Sequence, residues 1–120
     1  MTATTDTILI NGTVDFDPED APKAMADATQ LMADTRSQQG CRHYVWSLDP
    51  AVPGRVYVYE NWEREEDLAA HLKGSYYSGM LTLLGKYEMK GTDILKYQPA
   101  MAGPIYDDTG VPRADFFATV

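Results

Sequence analysis

The sequence predicts an α+β fold in which four strands form a sheet and three helices cover one of its faces. Three observations carry that expectation. The elements read in the order β, α, β, β, α, α, β, two of the strands flank a turn suited to a hairpin, and 120 residues suit one domain without a linker.

Residues Thr7 to Phe16 alternate, with Ile8, Ile10, Val14 and Phe16 on one side and Leu9, Asn11, Thr13 and Asp15 on the other, the period of a strand. Asp17-Pro18-Glu19-Asp20 then offers a capping side chain, a proline suited to a first turn, and acids that favour the positive end of a helix dipole. Ala21, Ala24, Met25, Ala28, Leu31, Met32 and Thr35 recur at spacings of three and four, and Gly40 suits a left-handed stop, so a helix is expected over 18–39. Pro22 is its awkward residue, able to delay regular helix until about Ala21.

Cys41 to Leu48 and Arg55 to Trp62 are rich in Val, Tyr and Trp, and the prolines and glycine of Asp49 to Gly54 make a hairpin turn between them. The acids of Glu63 to Asp67 suit a helix start, after which Leu68, His71 and Leu72 share one face of a short helix ending at Gly74. Ser75 is placed to cap a third helix with the apolar stripe Tyr76, Tyr77, Met80, Leu81 and Leu84. Thr92 to Gln98 form the last strand, stopped by Pro99. Residues 1–98 are thus the folded domain. Residues 99–120 are an extension, irregular from its prolines and glycines, whose apolar end Phe116 to Val120 is expected to pack on the domain or on a partner subunit. A sheet covered on one face leaves Ile8, Ile10 and Val14 exposed on the other, and face-to-face packing of two such sheets would cover them.

A net charge of -8, spread along the chain, makes phosphate backbones and anionic membranes poor partners, so neither nucleic acid nor membrane is expected. No apolar run approaches the ~20 residues that cross a bilayer, and Met1 to Asp6 has neither a basic region nor an apolar core, so a soluble cytoplasmic protein is expected. Cys41 is the single cysteine, which excludes an intrachain disulfide and a cysteine-type zinc site.

Gly40-Cys41 leading into Tyr44, the Asp49-Pro50 turn, Glu60-Asn61-Trp62 at a strand end and His71 on the following helix resemble the antibiotic biosynthesis monooxygenase family over roughly residues 6–98. The resemblance implies a ferredoxin-like, four-stranded antiparallel sheet, paired in a homodimer to form a dimeric α+β barrel, with a pocket between sheet and helices. It also implies oxidation of polycyclic phenols, anthrones or quinols by O2 without metal or flavin, so no cofactor is expected. A heme-degrading branch has an Asn on the first strand, a Trp on the helix and a later His. Here Asn11 fits, but His71 stands at the Trp position and Leu81 near the His position, which makes heme degradation improbable.

Oxygenation without a cofactor requires a substrate that supplies electrons once deprotonated, an apolar pocket, and a base of suitable pKa. His71 is the natural base, with the structural alternative of a half-buried histidine that fixes the strand-to-helix corner. Asn11, on the side where the resemblance places the pocket, is a second catalytic candidate or else satisfies a bulge beside Gly12. Trp62, Tyr44, Trp46, Tyr76, Tyr77 and Met80 are candidate substrate contacts, with core packing as their alternative. Glu60 is expected to be structural, partnered by Arg55, Arg42 or a second subunit. Cys41 and His43 share a face on alternation, a thin hint of a nucleophile pair. The two histidines have no metal-ligand spacing. The leading expectation is a monooxygenase acting on a small aromatic substrate; a non-catalytic ligand-binding dimer, or a decarboxylase, cyclase or isomerase on the same barrel, are the alternatives.

Overall fold

The computed structural model of the chain describes residues 6–117. Its elements follow the expected order: β1 (Ile8–Phe16), α1 (Asp20–Arg36), β2 (Cys41–Leu48), β3 (Arg55–Trp62), α2 (Glu65–Lys73), α3 (Ser75–Leu84) and β4 (Met89–Tyr97). The strands form one antiparallel sheet in the order β2-β3-β1-β4, a ferredoxin-like arrangement.

Backbone geometry moves several boundaries. α1 is shorter at both ends than 18–39. The Asp17 carbonyl accepts the N–H groups of Asp20 and Ala21, and its side chain accepts that of Glu19, so Asp17 builds the turn before the helix without capping it. Pro22 sits in the first turn, where the N–H it lacks would have no helical partner. At the other end the N–H groups of Ser37 and Gln38 bond back to Asp34 and Thr35 and close the helix early. Ser75 is the first helical residue of α3 and does not cap it; Gly74 holds the cap position without a side chain. β4 begins at Met89, ahead of the expected Thr92.

The pairing decides which face is buried. Ile8 lies opposite Trp62, Ile10 opposite Glu60 and Val14 opposite Val56, and residues directly opposite in an antiparallel pair share a face. That face lies under the helices, where Val56, Val58, Glu60, Trp62, Val14 and Phe16 are all buried. The expectation that Ile8, Ile10 and Val14 would be bare is therefore reversed. The bare face carries Leu9, Asn11, Thr13 and Asp15 from β1, with Tyr57 and Tyr59 from β3. Alternation separates the two sides of a strand; the helices then settle on the more apolar one. On α1 the fully buried Ala21, Ala24 and Ala28 let the helix backbone approach the sheet closely.

A bulge in β2 also overturns the shared face of Cys41 and His43. Cys41 pairs with Trp62 but His43 with Asn61, consecutive residues of β3 that face opposite ways, so Arg42 is the extra residue. His43 is on the bare face, 3.3 Å from the Tyr59 hydroxyl.

From Gln98 onward the chain builds a small arm of its own. The Arg113 N–H donates to Ile105 O at 2.7 Å and the Asp107 N–H to Val111 O at 3.0 Å, while the Asp107 side chain accepts from Thr109 and Val111. The Arg113 guanidinium lies 4.3 Å above the Phe117 ring. Ile105, Tyr106, Val111 and Phe116 remain exposed on the single chain. The last residues of the apolar end, 118–120, lie outside the described residues.

Gly12 marks the tightest approach in the sheet, between β1 and β4. A Cβ at this position would lie 2.0 Å from the Asp93 carbonyl oxygen and 2.6 Å from the Ile94 Cα, both backbone atoms. Gly12→Ala is expected to lower unfolding free energy by about 1–3 kcal/mol, the scale of forced overpacking. Urea titration checks the loss, and hydrogen exchange should show β4 deprotected ahead of β2 and β3.

Candidate functional site

The acids at Glu65, Glu66 and Asp67 occupy the first turn of α2, and its face turned to the sheet buries Leu68 and His71. Leu72, expected on the same face, is largely exposed. The His71 imidazole is almost wholly buried among three rings: Trp62 at 4.8 Å, Tyr44 at 5.5 Å and Tyr77 at 5.8 Å between centroids. Its Nδ1 is 2.7 Å from Gln38 Oε1. An amide oxygen only accepts, so Nδ1 carries the proton and Nε2 keeps its lone pair. Burial away from water holds the His71 pKa below the ordinary histidine value, which keeps the ring neutral.

Gln38 reaches His71 from the turn that joins α1 to β2. The Gln38 N–H donates to Thr35 O, the Cys41 N–H to Gln38 O, and the Glu63 N–H to Gly40 O at 2.8 Å, so the turn is bonded on both sides. Gly40 has φ +77°, and a Cβ there would lie 2.0 Å from an Asp67 carboxylate oxygen. Only glycine lets the turn lie against α2 in this way.

Glu60 and Trp62 follow each other on the buried face of β3. The Trp62 indole N–H donates to Glu60 Oε1 at 2.9 Å. Neither expected arginine partners Glu60. Arg55 forms a two-bond pair with Asp15 at 2.9 and 3.1 Å, and Arg42 donates to Thr7 and lies 3.9 Å from Glu63. Among the described residues Glu60 is thus a buried carboxyl without an ion-pair partner, and burial raises its pKa, opposed by the Trp62 bond. Opposite it on β2, Tyr44 accepts the Trp46 indole N–H at 3.1 Å. Burial, reinforced by the nearby Glu60 charge, pushes the Tyr44 hydroxyl far above the ordinary tyrosine range. The same two causes push the Cys41 thiol up to about 11, which leaves it protonated at neutral pH.

His71, Glu60, Tyr44 and Trp46 help line a cavity of about 570 Å³ between the sheet and the second and third helices, within the ~300–1,000 Å³ usual for small-molecule sites. His71, Tyr44, Trp46, Tyr77 and Met80, five of the eight residues singled out in the sequence, line it. Trp62 stands behind His71 and Glu60 and does not reach it, and Tyr76 is outside the lining. Asn11 is on the bare face of the sheet, turned away; the cavity is on the side of Ile10, opposite to the expectation. Glu60 and the exposed Leu72 and Leu81 join the wall. Gln38 carried no signal in the sequence, being one of two adjacent glutamines before a glycine and 33 positions from the histidine it holds.

The model of the antibiotic biosynthesis monooxygenase family matches residues 7–81, more than half of the chain. The chain belongs to that family. Among solved structures of the same fold, a Caulobacter crescentus protein provisionally named as an antibiotic biosynthesis monooxygenase is 19% identical with a TM-score of 0.72, over 80% of this chain and 92% of its own. A Deinococcus radiodurans protein of the same provisional name is 22% identical, with a TM-score of 0.65, over 82% and 97%. A conserved Methanosarcina mazei protein is also 22% identical, with a TM-score of 0.70, over 78% and 93%. No curated protein matches the chain. These solved structures of the same fold thus cover the sheet and helices and leave about a fifth of the chain unmatched. Among the described residues no helix is long and apolar enough to cross a membrane.

Because folding raises the pKa of Glu60, its contribution to stability is complete below the ordinary value of 4.5 and is lost as pH rises through the folded value. Glu60→Gln, which keeps the shape without the charge, is expected to leave stability at about pH 4 unchanged and to raise it at about pH 8. Urea midpoints at the two pH values check the difference.

Proposed function

We propose that the chain is a cofactor-independent monooxygenase that oxidises a small aromatic or polyketide-like phenol, quinol or anthrone with O2. One observation carries this reading: a neutral histidine at the wall of an apolar cavity, with Nδ1 bound to Gln38 and Nε2 left as a base. For an anthrone the chemistry is balanced without another reagent. His71 Nε2 takes a proton from the ring methylene, and the resulting enolate passes an electron to O2. The carbon radical and superoxide join as a peroxide, and loss of water leaves the quinone, so that anthrone and O2 yield quinone and H2O. The electrons come from substrate, and the imidazolium returns its proton to the departing oxygen.

In this reading Tyr44 keeps a hydroxyl that donates to the substrate oxygen, while Trp46, Tyr77 and Met80 hold the ring faces. Asn11, Trp62 and Tyr76 have no direct contact with substrate. Loss of a general base typically removes ~10²–10⁴-fold in rate. His71→Ala is therefore expected to reduce oxygen uptake with dithranol-like anthrones and quinols by at least about a hundredfold. The rate of the parent protein should decline on acidification with a midpoint below the ordinary histidine value of 6.5. Uptake no greater than that of His71→Ala would remove the oxidation claim. Turnover that persists without oxygen would assign the same base to a non-oxidative reaction, and ligand-induced thermal stabilisation without turnover would make the cavity a binding module.

The family resemblance and the bare apolar face also support a homodimer. Tyr57, Leu95 and Tyr97 are exposed on that face, and the arm presents five further large apolar side chains, Met101, Ile105, Tyr106, Val111 and Phe116. Sedimentation should find a dimer, and removal of residues 99–120 together with Tyr57→Asp should shift it toward monomer; a monomeric parent chain would overturn the assignment.

A further inference from the structure

We infer that Gln38 is the positioning residue of His71: its side-chain carbonyl selects the tautomer that leaves Nε2 as the unprotonated nitrogen. The contact of 2.7 Å is short for an N–H to oxygen bond, and it is the His71 ring's hydrogen bond among the described residues. An imidazole without an acceptor at Nδ1 favours the opposite form, with its proton on Nε2. In that form the nitrogen left for substrate would be a donor and proton abstraction would stop. The Gln38 oxygen reverses the preference.

The geometry around Gln38 suits such a role. Its own N–H is held by Thr35 and its carbonyl by Cys41, so the side chain departs from a fixed backbone. Gly40, pressed on Asp67, and the bond from Glu63 to Gly40 tie the same turn to the start of α2, the helix that carries His71. Donor and acceptor are thus on two segments that are themselves joined, which limits the freedom lost when the bond forms.

The choice of an amide is equally specific. A carboxylate at this place would accept the same proton but would stabilise the imidazolium, converting the base to its spent form near neutral pH. The other titratable groups around the ring are Tyr44 from β2, Glu60 from β3, Tyr77 from α3 and Asp93 across the cavity on β4, with Asp67 and Lys73 on its own helix. Tyr44 and Tyr77 meet the imidazole ring to ring, and among the described residues Gln38 is the one that hydrogen-bonds it.

The catalytic consequence rests on the proposed function, but the tautomer does not, and it can be read without turnover. The chain has only two histidines, so ¹⁵N labelling of histidine gives two separable ring systems. Above the titration of both, long-range ¹H–¹⁵N spectra of the full chain should show His71 protonated at Nδ1 and bare at Nε2. In Gln38→Ala and in Gln38→Met, which keeps the length of the side chain, the proton should move to Nε2. Gln38→Glu should retain the Nδ1–H form and raise the His71 titration midpoint. With an oxidisable anthrone, Gln38→Met should lower kcat about 10–100-fold, the range for outer partners of a catalytic group, with KM little changed. Gln38→Glu should recover much of kcat, with the acid limb of the pH profile displaced upward. A parent His71 carrying its proton on Nε2, or a tautomer unchanged in Gln38→Met judged folded by thermal melting, would overturn the inference. An Nδ1–H tautomer in a protein that oxidises no anthrone or quinol would uphold it and count against the oxidation reading alone.

Discussion

The Trp62 indole, with no surface exposed, donates its N–H to Glu60 and sets its ring 4.8 Å from His71, so one side chain touches both the carboxyl and the imidazole of the cavity wall. It stands at the end of the strand that pairs with both β1 and β2, directly opposite Ile8 on one side and Cys41 on the other. The central strand thereby fixes the sheet and the site by the same residues. A buried carboxyl is tolerable only where its hydrogen-bonding capacity is met, and the indole meets part of it without a countercharge. The cavity gains a polar wall that does not need an arginine, which would have stabilised the ionised carboxylate.

The remaining wall is set by how tightly the helices approach. Alanines on α1 bring that helix close to the sheet over β2 and β1, filling the space there. α3 lies against α1 and α2, and its buried Met80 and Leu84 form the far side of the cavity. β4 is exposed along its whole length and forms the margin of the cavity opposite His71. An apolar chamber with hydroxyl, carboxyl and imidazole groups along one side is what remains.

How much of this was legible in the sequence differs by element for physical reasons. β2 and β3 begin and end where alternation and turn residues place them, because a strand's period is written in neighbouring residues. The ends of α1 were not, because they are closed by backbone carbonyls of Asp17, Asp34 and Thr35 that any residue could supply. Asn11 shows a second limit. Period two separates Ile10 from Asn11, but the choice of buried side depends on helices elsewhere in the chain. The bulge at Arg42 shifts the faces of Cys41 and His43 by one residue, and no turn signal announces it. At the site, His71, Tyr44, Trp46, Tyr77 and Met80 were visible as residue types in a pattern. Glu60's indole partner and the Gln38 contact were not, since both depend on distance in space.

The edge strand has a role that its position alone gives it. Among the described residues β4 is hydrogen-bonded to β1 and to no other strand, all nine of its residues are exposed, and from the face shared with Val14 it supplies Thr92 and Ile94 to the cavity wall. Its detachment breaks one ladder and uncovers little of the core, so it ranks among the least expensive openings of the molecule. β2, β3 and the helices stay packed while it moves. In the single chain, displacement of this margin would widen the cavity at its β4 side, while the turn that carries Gln38, before the opposite edge strand β2, is undisturbed. Breathing and precision are assigned to different ends of one sheet.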